Sequence, residues 1–374
     1  MGMESFIRTA RKRDIIQTRQ EKIGYANIKI MGCGGAGNNT INRLMKIGIR
    51  GAKCVAINTD RQHLDMIDAH MKILIGKNLT RGLGAGGNPD IGKAAAEESR
   101  EDLTNVLREA DLVFITCGEG GGTGTGSAPI VAEIAKLEGA IVVGVVTIPF
   151  DTEIGRIEKA KEGLNLLKQY ADTLVVIDNN RLLEIAPNLP IIEAFSVADE
   201  VLASMVKGIT ETISLPSLIN LDFADVRTIL STGGVAIVGV GESNGKENRV
   251  KEAIDDALNL PLLDVDIEGA KGALIHVCGG NDMTLAEANS VAKRIYEKMD
   301  MNNSMVIWGA RVSDEFNGYL RVMLLITGIQ SPQIFGNNPE NPLGMNPNFS
   351  DQRYNKPKIN LSDDIFNIEE ITFE

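Results

Sequence analysis

The stretch Gly118-Glu-Gly-Gly-Gly-Thr-Gly-Thr-Gly-Ser127 decides the fold of this 374-residue chain. Five of the seven residues from 120 to 126 are glycine, and the other two are threonine. An apolar run, residues 110–117, precedes the stretch, and residues 128–137 after it have the pattern of a helix. The order strand, glycine loop, helix places free backbone N–H groups beside the positive end of a helix dipole. The sequence therefore predicts an anion site, and the threonine hydroxyls favour a polyphosphate ligand over a flexible linker.

A second glycine loop, residues 32–39, follows a predicted strand at residues 28–31. Its glycines at positions 32, 34 and 37 match G-x-G-x-x-G, and Asn58-Thr-Asp60 closes the next predicted strand, where a dinucleotide fold reads a ribose. A nicotinamide or flavin oxidoreductase is therefore an alternative. Two glycine loops on different strands instead favour a nucleoside triphosphate held from two sides. Neither loop carries the lysine of a Walker A motif.

The N-terminal half of the chain alternates strand and helix patterns, which predicts an α/β fold with a doubly wound parallel sheet. Its strand candidates are rich in Ile, Val and Leu with few polar breaks, as expected for strands that helices cover on both faces. These candidates are residues 28–31, 53–57, 71–75, 111–117, 140–146 and 173–177. Ligands of such sheets bind at the carboxyl ends of the strands, where both glycine loops would meet.

The rest of the chain continues with a long apolar helix pattern at residues 191–213 and a smaller second α/β unit. In that unit we expect strands at 235–240, 272–278, 304–310 and 320–326 and helices at 246–258 and 284–298. We divide the chain into an N-terminal helical extension, a nucleotide-binding domain, a central helix with the loop after it, a C-terminal α/β domain, and a linker with a terminal peptide. The boundaries are 1–24, 25–190, 191–225, 226–330 and 331–374.

The composition restricts the class of ligand. The formal net charge of −12 gives no basic surface for nucleic acid. An acidic chain that binds a triphosphate must recruit a cation, which predicts Mg²⁺. No apolar run is long enough to cross a bilayer. The four cysteines show no C-x-x-C spacing and are expected to be buried thiols.

Together these motifs resemble the FtsZ family, the tubulin-like GTPases that form filaments during cell division. The resemblance rests on segments spread over residues 25 to 330, namely residues 32–39, 58–60, 85–89, 120–126, 149–153 and 220–225. It implies a cytoplasmic GTPase that polymerises head to tail and concentrates at the mid-cell division site. A nucleotide-binding scaffold of the same fold that does not hydrolyse GTP is the second interpretation.

The resemblance also implies which residues bind GTP or GDP. Glu153 would contact the ribose and Arg156 the nucleotide, although the family usually spaces these two residues four apart rather than three. Guanine recognition would fall to Asn179, Phe195 and Asp199, although from its pattern alone Phe195 is a core residue. The glycine loops and the segments near them supply the remaining binding residues, which are Gly34, Gly35, Ala36, Gly37, Asn38, Asn58, Asp60, Ala85, Gly86, Gly87, Asn88, Gly120, Gly121, Gly122, Thr123, Gly124, Thr125 and Gly126.

Asp222 and Asp225 are the candidate catalytic acids. From their pattern alone, Asp222 would cap a helix and Asp225 would favour its dipole. The resemblance implies instead that both reach the nucleotide of the next subunit, where they orient the attacking water and help to hold Mg²⁺. Asn220 would assist by hydrogen bonding.

The two ends of the chain predict different contacts. Residues 8–22 are rich in Arg and Lys and form either a solvated extension or a membrane-surface helix. The Asn- and Pro-rich residues 331–360 predict a linker, and apolar residues return in the acidic stretch 363–374. We interpret this stretch as a peptide that binds a membrane-adaptor protein, so that membrane association is indirect. A terminus without function is the alternative.

Overall fold

The computed structural model of the chain describes residues 26–181, 190–214, 219, 222–245, 248–259, 269–299 and 304–329. The predictions for residues 1–24 and 331–374 and for Asn220 lie outside the described residues, as does the side chain of Phe195.

Within this part of the chain, ten strands form one sheet in the order β3-β2-β1-β4-β5-β6-β7-β10-β8-β9. From β3 to β7 all neighbours are parallel, whereas β10 runs antiparallel to both β7 and β8. The last pair, β8 and β9, is parallel again. The strands are β1 Ile28–Cys33, β2 Ala52–Asn58, β3 Met71–Leu74, β4 Leu112–Gly118, β5 Ile141–Ile148, β6 Thr173–Asp178, β7 Val235–Ser243, β8 Gly272–Gly279, β9 Met305–Val312 and β10 Leu320–Ile329.

The helices lie on both faces of this sheet. They are α1 Gly34–Ile47, α2 Arg61–Met66, α3 Lys77–Thr80, α4 Pro89–Glu98, α5 Arg100–Leu107, α6 Thr123–Leu137, α7 Ile154–Leu167, α8 Ile191–Ser214, α9 Phe223–Ser231, α10 Arg249–Asn259 and α11 Leu285–Lys298, with a 3₁₀ turn at Asp314–Phe316. The predicted helix over residues 128–137 starts too late, because α6 already begins at Thr123. Its first turn carries glycine and threonine rather than apolar residues, so the hydrophobic period does not show it.

Alternation along the strands decides which helices cover each face. On β10, Met323 and Leu325 belong to a core that also contains residues of α1, α8 and α9. Their neighbours Val322 and Leu324 point to the other face, into a core with residues of α10 and α11. On the N-terminal strands that second face is covered by α6, which α4, α5 and α7 flank. The sheet is therefore buried on both sides, and the predicted α/β fold with a parallel sheet is confirmed.

The long helix α8 runs between the carboxyl ends and the amino ends of the parallel strands. It spans 24 residues, and Leu202, Val206 and Ile209 are buried in the core beneath it. At its end, the Ser214 hydroxyl lies 3.4 Å from the carbonyl oxygen of Gly51, just ahead of the amino end of β2. The predicted long central helix is thus confirmed, and no helix in the described residues is both long and apolar enough to span a membrane.

The division of the chain into separate domains stays a prediction. Strands β6 and β7, which come from the two proposed α/β units, pair at two positions, Leu174 with Val235 and Val175 with Ala236. The two units therefore share one continuous sheet in this structure.

Candidate functional site

A cleft of about 760 Å³ opens where β1, β4, β5 and β6 end. This is the carboxyl edge of the parallel strands, where the topology predicts a ligand site. Ten of the predicted binding residues line it: Gly35, Ala36, Gly121, Gly122, Thr123, Gly124, Glu153, Arg156, Asn179 and Asp199.

Two helices point their N-termini into this cleft. Helix α1 begins directly after β1, and α6 begins after the short loop that follows β4. No side chain caps either N-terminus, so the first backbone N–H groups of both helices remain available to a ligand. The first turns of the two helices are in close contact. A Cβ on Gly34 would come within 2.7 Å of the Gly124 nitrogen. Two adjacent helix N-termini with free donors suit an anion with several charges, such as a polyphosphate.

The loop between β4 and α6 is packed so closely that it requires glycine. Gly120 has a φ of +85°, and a Cβ there would meet the Arg156 carbonyl oxygen at 2.7 Å. A Cβ on Gly122 would lie 2.8 Å from the backbone nitrogen of Asn88 and 2.9 Å from the Cβ of Ala85. The structure therefore places the predicted segment 85–88 directly against the glycine loop, although the segment itself does not line the cleft.

Asp199 and Asn179 form the wall of the cleft farthest along the sheet. The Thr40 hydroxyl lies 3.2 Å from Oδ1 of Asp199. Burial raises the pKa of Asp199 to about 6, while the Thr40 hydrogen bond and the charge of Arg43 lower it. A half-buried carboxylate and a buried amide on the same cleft offer acceptors and donors to the edge of a base.

Glu153 and Arg156 stand at the mouth of the cleft. Glu153 Oε1 accepts a hydrogen bond from the Phe150 N–H at 3.2 Å, and its Oε2 is 2.7 Å from Nη1 of Arg156. Both side chains line the cleft, and Arg156 is 60% exposed. The three-residue spacing therefore places the two side chains in an ion pair with each other on the first turn of α7.

Several predicted binding residues lie behind the cleft wall and hold the wall in place. Asn38 is fully buried, and its Oδ1 accepts a hydrogen bond from the backbone N–H of Ile57 at 3.2 Å. The Oδ1 of Asn58 accepts a hydrogen bond from the next backbone N–H at 2.9 Å. The Thr59 hydroxyl then lies 2.6 Å from the Thr123 hydroxyl, which joins the end of β2 to the first turn of α6.

Asp60 and Asn88 are helix N-caps in this chain. Asp60 accepts a hydrogen bond from the His63 N–H at 3.1 Å and starts α2, while Asn88 accepts from the Asp90 N–H at 2.9 Å and starts α4. Gly126 lies deeper still, where a Cβ would come within 2.0 Å of the Pro89 carbonyl oxygen. The remaining residues without a place on the cleft surface are Gly34, Gly37, Ala85, Gly86, Gly87, Gly120 and Thr125.

Asp222 and Asp225 do not line the cleft of their own chain. Asp222 caps α9 by accepting a hydrogen bond from the Ala224 N–H at 3.1 Å, and both acids are exposed. Residues on either side of them in the chain contact the amino ends of strands, since Ser214 lies against Gly51 and the C-terminal turn of α9 accepts a hydrogen bond from Thr173 at the start of β6. The acids therefore lie outside the cleft, in a segment flanked by contacts with the amino ends of β2 and β6.

Sequence reasoning missed several polar residues of the cleft, among them Thr40 and Glu119. Thr40, three positions after the glycines of α1, gave no signal in the sequence. Glu119 gave one, because a charged residue between a buried strand and a glycine loop is unusual. Among the described residues, no group of three or more His, Cys, Asp or Glu side chains is arranged to hold a metal ion. All four cysteines are buried and free, as expected.

The sheet topology, the glycine loop and the paired helix N-termini define a tubulin-like GTPase. Residues 27–187 match the model of the tubulin/FtsZ family GTPase domain, and residues 234–330 match the model of the FtsZ family C-terminal domain. The chain therefore belongs to the FtsZ family of cell division proteins and is a GTPase that binds guanine nucleotide. The dinucleotide oxidoreductase that the G-x-G-x-x-G spacing had left open is thereby excluded.

Similar proteins come from archaea. The chain is 57% identical over 327 residues to cell division protein FtsZ 2 of Methanocaldococcus jannaschii. This alignment covers 87% of this chain and 86% of that protein. It is 54% identical over 342 residues to FtsZ 2 of Haloferax volcanii, covering 89% of this chain and 85% of the relative. A solved FtsZ dimer from M. jannaschii matches with a TM-score of 0.78 at 54% identity, over 88% of this chain and 93% of that one. CetZ1 from H. volcanii, at 22% identity and a TM-score of 0.72, shares the fold.

Proposed function

We propose that this GTPase assembles head to tail and hydrolyses GTP only where two subunits meet. The observation that carries the proposal is the separation of the two halves of the site. The cleft lies at the carboxyl edge of the sheet, whereas Asp222 and Asp225 are exposed outside it, in a segment whose flanks contact the amino ends of β2 and β6. A subunit stacked on the next would bring these acids over the neighbour's cleft. Such a contact uses two different surfaces and does not close on itself, so it propagates as a filament.

The cleft explains why a second subunit is needed. It offers backbone donors at two helix N-termini, but its carboxylates are assigned to other contacts or buried. Asp199 accepts from Thr40, Glu153 pairs with Arg156, and Glu119 is buried. Hydrolysis needs a group that positions water in line with the γ-phosphate. We infer that Asp222 and Asp225 supply it, with Asn220 assisting.

The nucleotide would lie across the cleft with its phosphates on α1 and α6. The residues of the glycine loops would donate to the α- and β-phosphates, and residues 85–88 would close over the γ-phosphate. Glu153 and Arg156 would contact the ribose end. Asn179 and Asp199 would read guanine, because a carboxylate accepts from both the N1–H and the 2-amino group, a pair of donors that adenine lacks. Phe195 would stack on the base.

We infer that Mg²⁺ accompanies the nucleotide. No cluster of three protein ligands stands ready for it in the described residues, so the phosphates and waters would hold most of its shell, as Mg²⁺ prefers. Asp222 and Asp225 of the adjacent subunit would complete it. The ion would neutralise charge that develops on the phosphates.

The cellular setting follows from the same proposal. Filaments of this chain would form a ring at the mid-cell division site in the cytoplasm. Residues 363–374 would bind a membrane-adaptor protein, since the stretch is acidic and would be repelled by anionic lipid. The solved dimer of the M. jannaschii relative supports self-association.

The test is a mixing experiment with two inactive variants. Asp225→Ala keeps the cleft, and Gly122→Val keeps the acids but crowds the loop against Asn88. Each alone should release phosphate slowly from GTP. An equimolar mixture should regain a substantial part of the native rate, because a native cleft meets native acids at some contacts. The native rate per subunit should also rise with protein concentration. A mixture no faster than its components, together with a native rate independent of concentration, would exclude the shared site.

A further inference from the structure

Glu119 is a buried acid directly beneath the phosphate-binding loop. It is the residue before Gly120, and only 5% of it is exposed. Its backbone N–H donates to the Thr147 carbonyl oxygen at 2.8 Å, which holds the start of the loop against the end of β5. The side chain is enclosed by β4, α6 and α7. No role for this residue follows from the nucleotide contacts proposed above.

The immediate neighbours of Glu119 are neutral. The Cys117 thiol donates to Oε1 at 3.5 Å, and α7 presents Gly163, where a Cβ would lie 2.4 Å from Oε2. Thr125 lies against the same point of α7, since that Cβ would be 2.3 Å from its Cγ2. The Thr125 hydroxyl also faces the Glu119 carboxyl and lowers its pKa by hydrogen bonding. A hydroxyl or thiol donates its own proton to a carboxylate, so both contacts lower the pKa of Glu119 and act against the effect of its burial.

Among the residues that the structure describes, no positive charge compensates an ionised Glu119. The titratable groups that face it are the thiols of Cys117 on β4 and Cys33 on β1. Arg156, the cation next to the loop, is paired with Glu153 and does not act on this carboxyl. Burial accordingly raises the pKa of Glu119 to about 7. At neutral pH the free protein therefore holds this side chain close to its midpoint of ionisation.

We propose that Glu119 is a positioning residue that supports the phosphate-binding loop in its protonated form, and that a bound nucleotide keeps the proton on it. The inference rests on the proposed function, because it requires phosphates on the outer side of the loop. The backbone donors of residues 120–124 would face the phosphates, and Glu119 lies behind them. A second negative charge there repels the phosphates strongly, since little water screens it. Linkage makes the effect reciprocal, so nucleotide binding takes up a proton.

The experiment measures proton uptake when GDP binds to the full-length chain. Calorimetric titrations at about pH 7.5 in buffers of different ionisation enthalpy give the number of protons taken up. The variants are Glu119→Gln, which is isosteric and neutral, and Glu119→Met, which is neutral and of similar length. Glu162→Gln is the matched control, because Glu162 is exposed on α7 beside Gly163. Native protein and the control should take up more protons than the Glu119→Gln and Glu119→Met variants, by a difference of up to about one per nucleotide.

The affinity profile gives an independent readout. Above about pH 7 the GDP affinity of the native protein should fall relative to that of Glu119→Gln, by up to about tenfold per pH unit. The titration of the GDP phosphates affects both proteins equally, so it cancels from the comparison of the two affinity profiles. Equal proton uptake and parallel affinity profiles would overturn the inference while leaving the nucleotide site intact, and so would an affinity lowered equally at every pH. If neither protein binds GDP, the proposed nucleotide site fails and this inference fails with it.

Discussion

The Thr40 hydroxyl lies 3.2 Å from Oδ1 of Asp199, and this contact joins helix α1 to the long helix α8. This contact connects the phosphate end of the cleft with its opposite wall, because α1 begins under the phosphates and Asp199 lies near the start of α8. It also favours the ionised carboxylate, which is the form that would accept hydrogen bonds from guanine.

We predict that Thr40→Val weakens GDP binding and raises the pH below which GDP affinity is lost. The pKa of Asp199 is raised to about 6 by burial, so guanine affinity should increase as pH rises from about 5 to about 7. Loss of the hydroxyl raises this pKa further and removes about 1 kcal/mol, roughly fivefold in affinity near pH 6. Fluorescent GDP titrations between pH 5 and pH 8 measure both effects. Thr40→Ser keeps the hydroxyl and should resemble the native protein. If GDP affinity is lost at the same pH in all three proteins, the role of Asp199 is contradicted.

We predict that Glu119 makes the nucleotide-free protein less stable at pH 7 than at pH 4.5. Its folded pKa of about 7 lies above the ordinary value of 4.5, so the stability is fully present below about pH 4.5 and is lost as pH rises through about 7. The loss amounts to about 3 kcal/mol. Burial of His276 lowers its pKa to about 4, which acts in the opposite direction below pH 6.5. The measurement is therefore the difference in urea-unfolding free energy between native protein and Glu119→Gln. A difference that does not change with pH would contradict a buried, titrating carboxyl.

We predict that substitutions at Asp222 separate catalysis from helix capping. Asp222→Asn keeps an oxygen that can accept the Ala224 N–H hydrogen bond, whereas Asp222→Ala loses about 1 kcal/mol of stability with the cap. Both variants should bind GTP and lose most of its hydrolysis, because both lack the charge. Asp225→Ala should lose hydrolysis without losing the cap. Thermal unfolding and phosphate release check the two properties separately. Native turnover in Asp222→Asn would mean that Asp222 only caps α9.

We predict that the glycines of the loop differ sharply in their tolerance of alanine. A Cβ on Gly126 would stand 2.0 Å from the Pro89 carbonyl oxygen, so Gly126→Ala must displace α4 or α6 and should destabilise the protein by several kcal/mol. A Cβ on Gly121 would meet nothing closer than 3.9 Å. The unfolding free energy of Gly121→Ala should therefore lie within about 1 kcal/mol of the native value. Urea unfolding without nucleotide gives the comparison, and equal stability of the two variants would show that the loop packing is wrong.

We predict that α8 depends on its buried ion pair with β9. Arg311 Nη1 lies 2.5 Å from Oε2 of Glu211, and the Glu211 side chain is only 10% exposed. Arg311→Met leaves that carboxylate only the more distant ammonium of Lys207, at 4.0 Å, and should cost on the order of 3 kcal/mol of unfolding free energy. Lys293 and Glu297 form an exposed pair on α11, and Lys293→Met should cost under about 1 kcal/mol. Similar losses in both variants would contradict the difference in burial.

The order of the elements could be predicted from the sequence because hydrophobic periodicity is a local property. Strands such as Leu112–Gly118 show as unbroken apolar runs, and α8 shows as an apolar pattern at helical spacing. The start of α6 could not be predicted, because residues 123–127 contain no apolar pattern, and their helix is packed against α4 and β4.

The sequence by itself also determined the chemistry of the glycine loop, since glycine and threonine at residues 120–126 offer donors and little else. Only the tertiary structure decided which candidates share one cleft. It placed Asp199 beside Thr40, 159 positions away, and it turned Asn58, Asp60 and Asn88 into supports of the wall. It also buried Glu119 and left Asp222 exposed, outside the cleft, as the cap of α9. Burial and distance between remote residues arise from packing the helices on the sheet, and no local pattern records them.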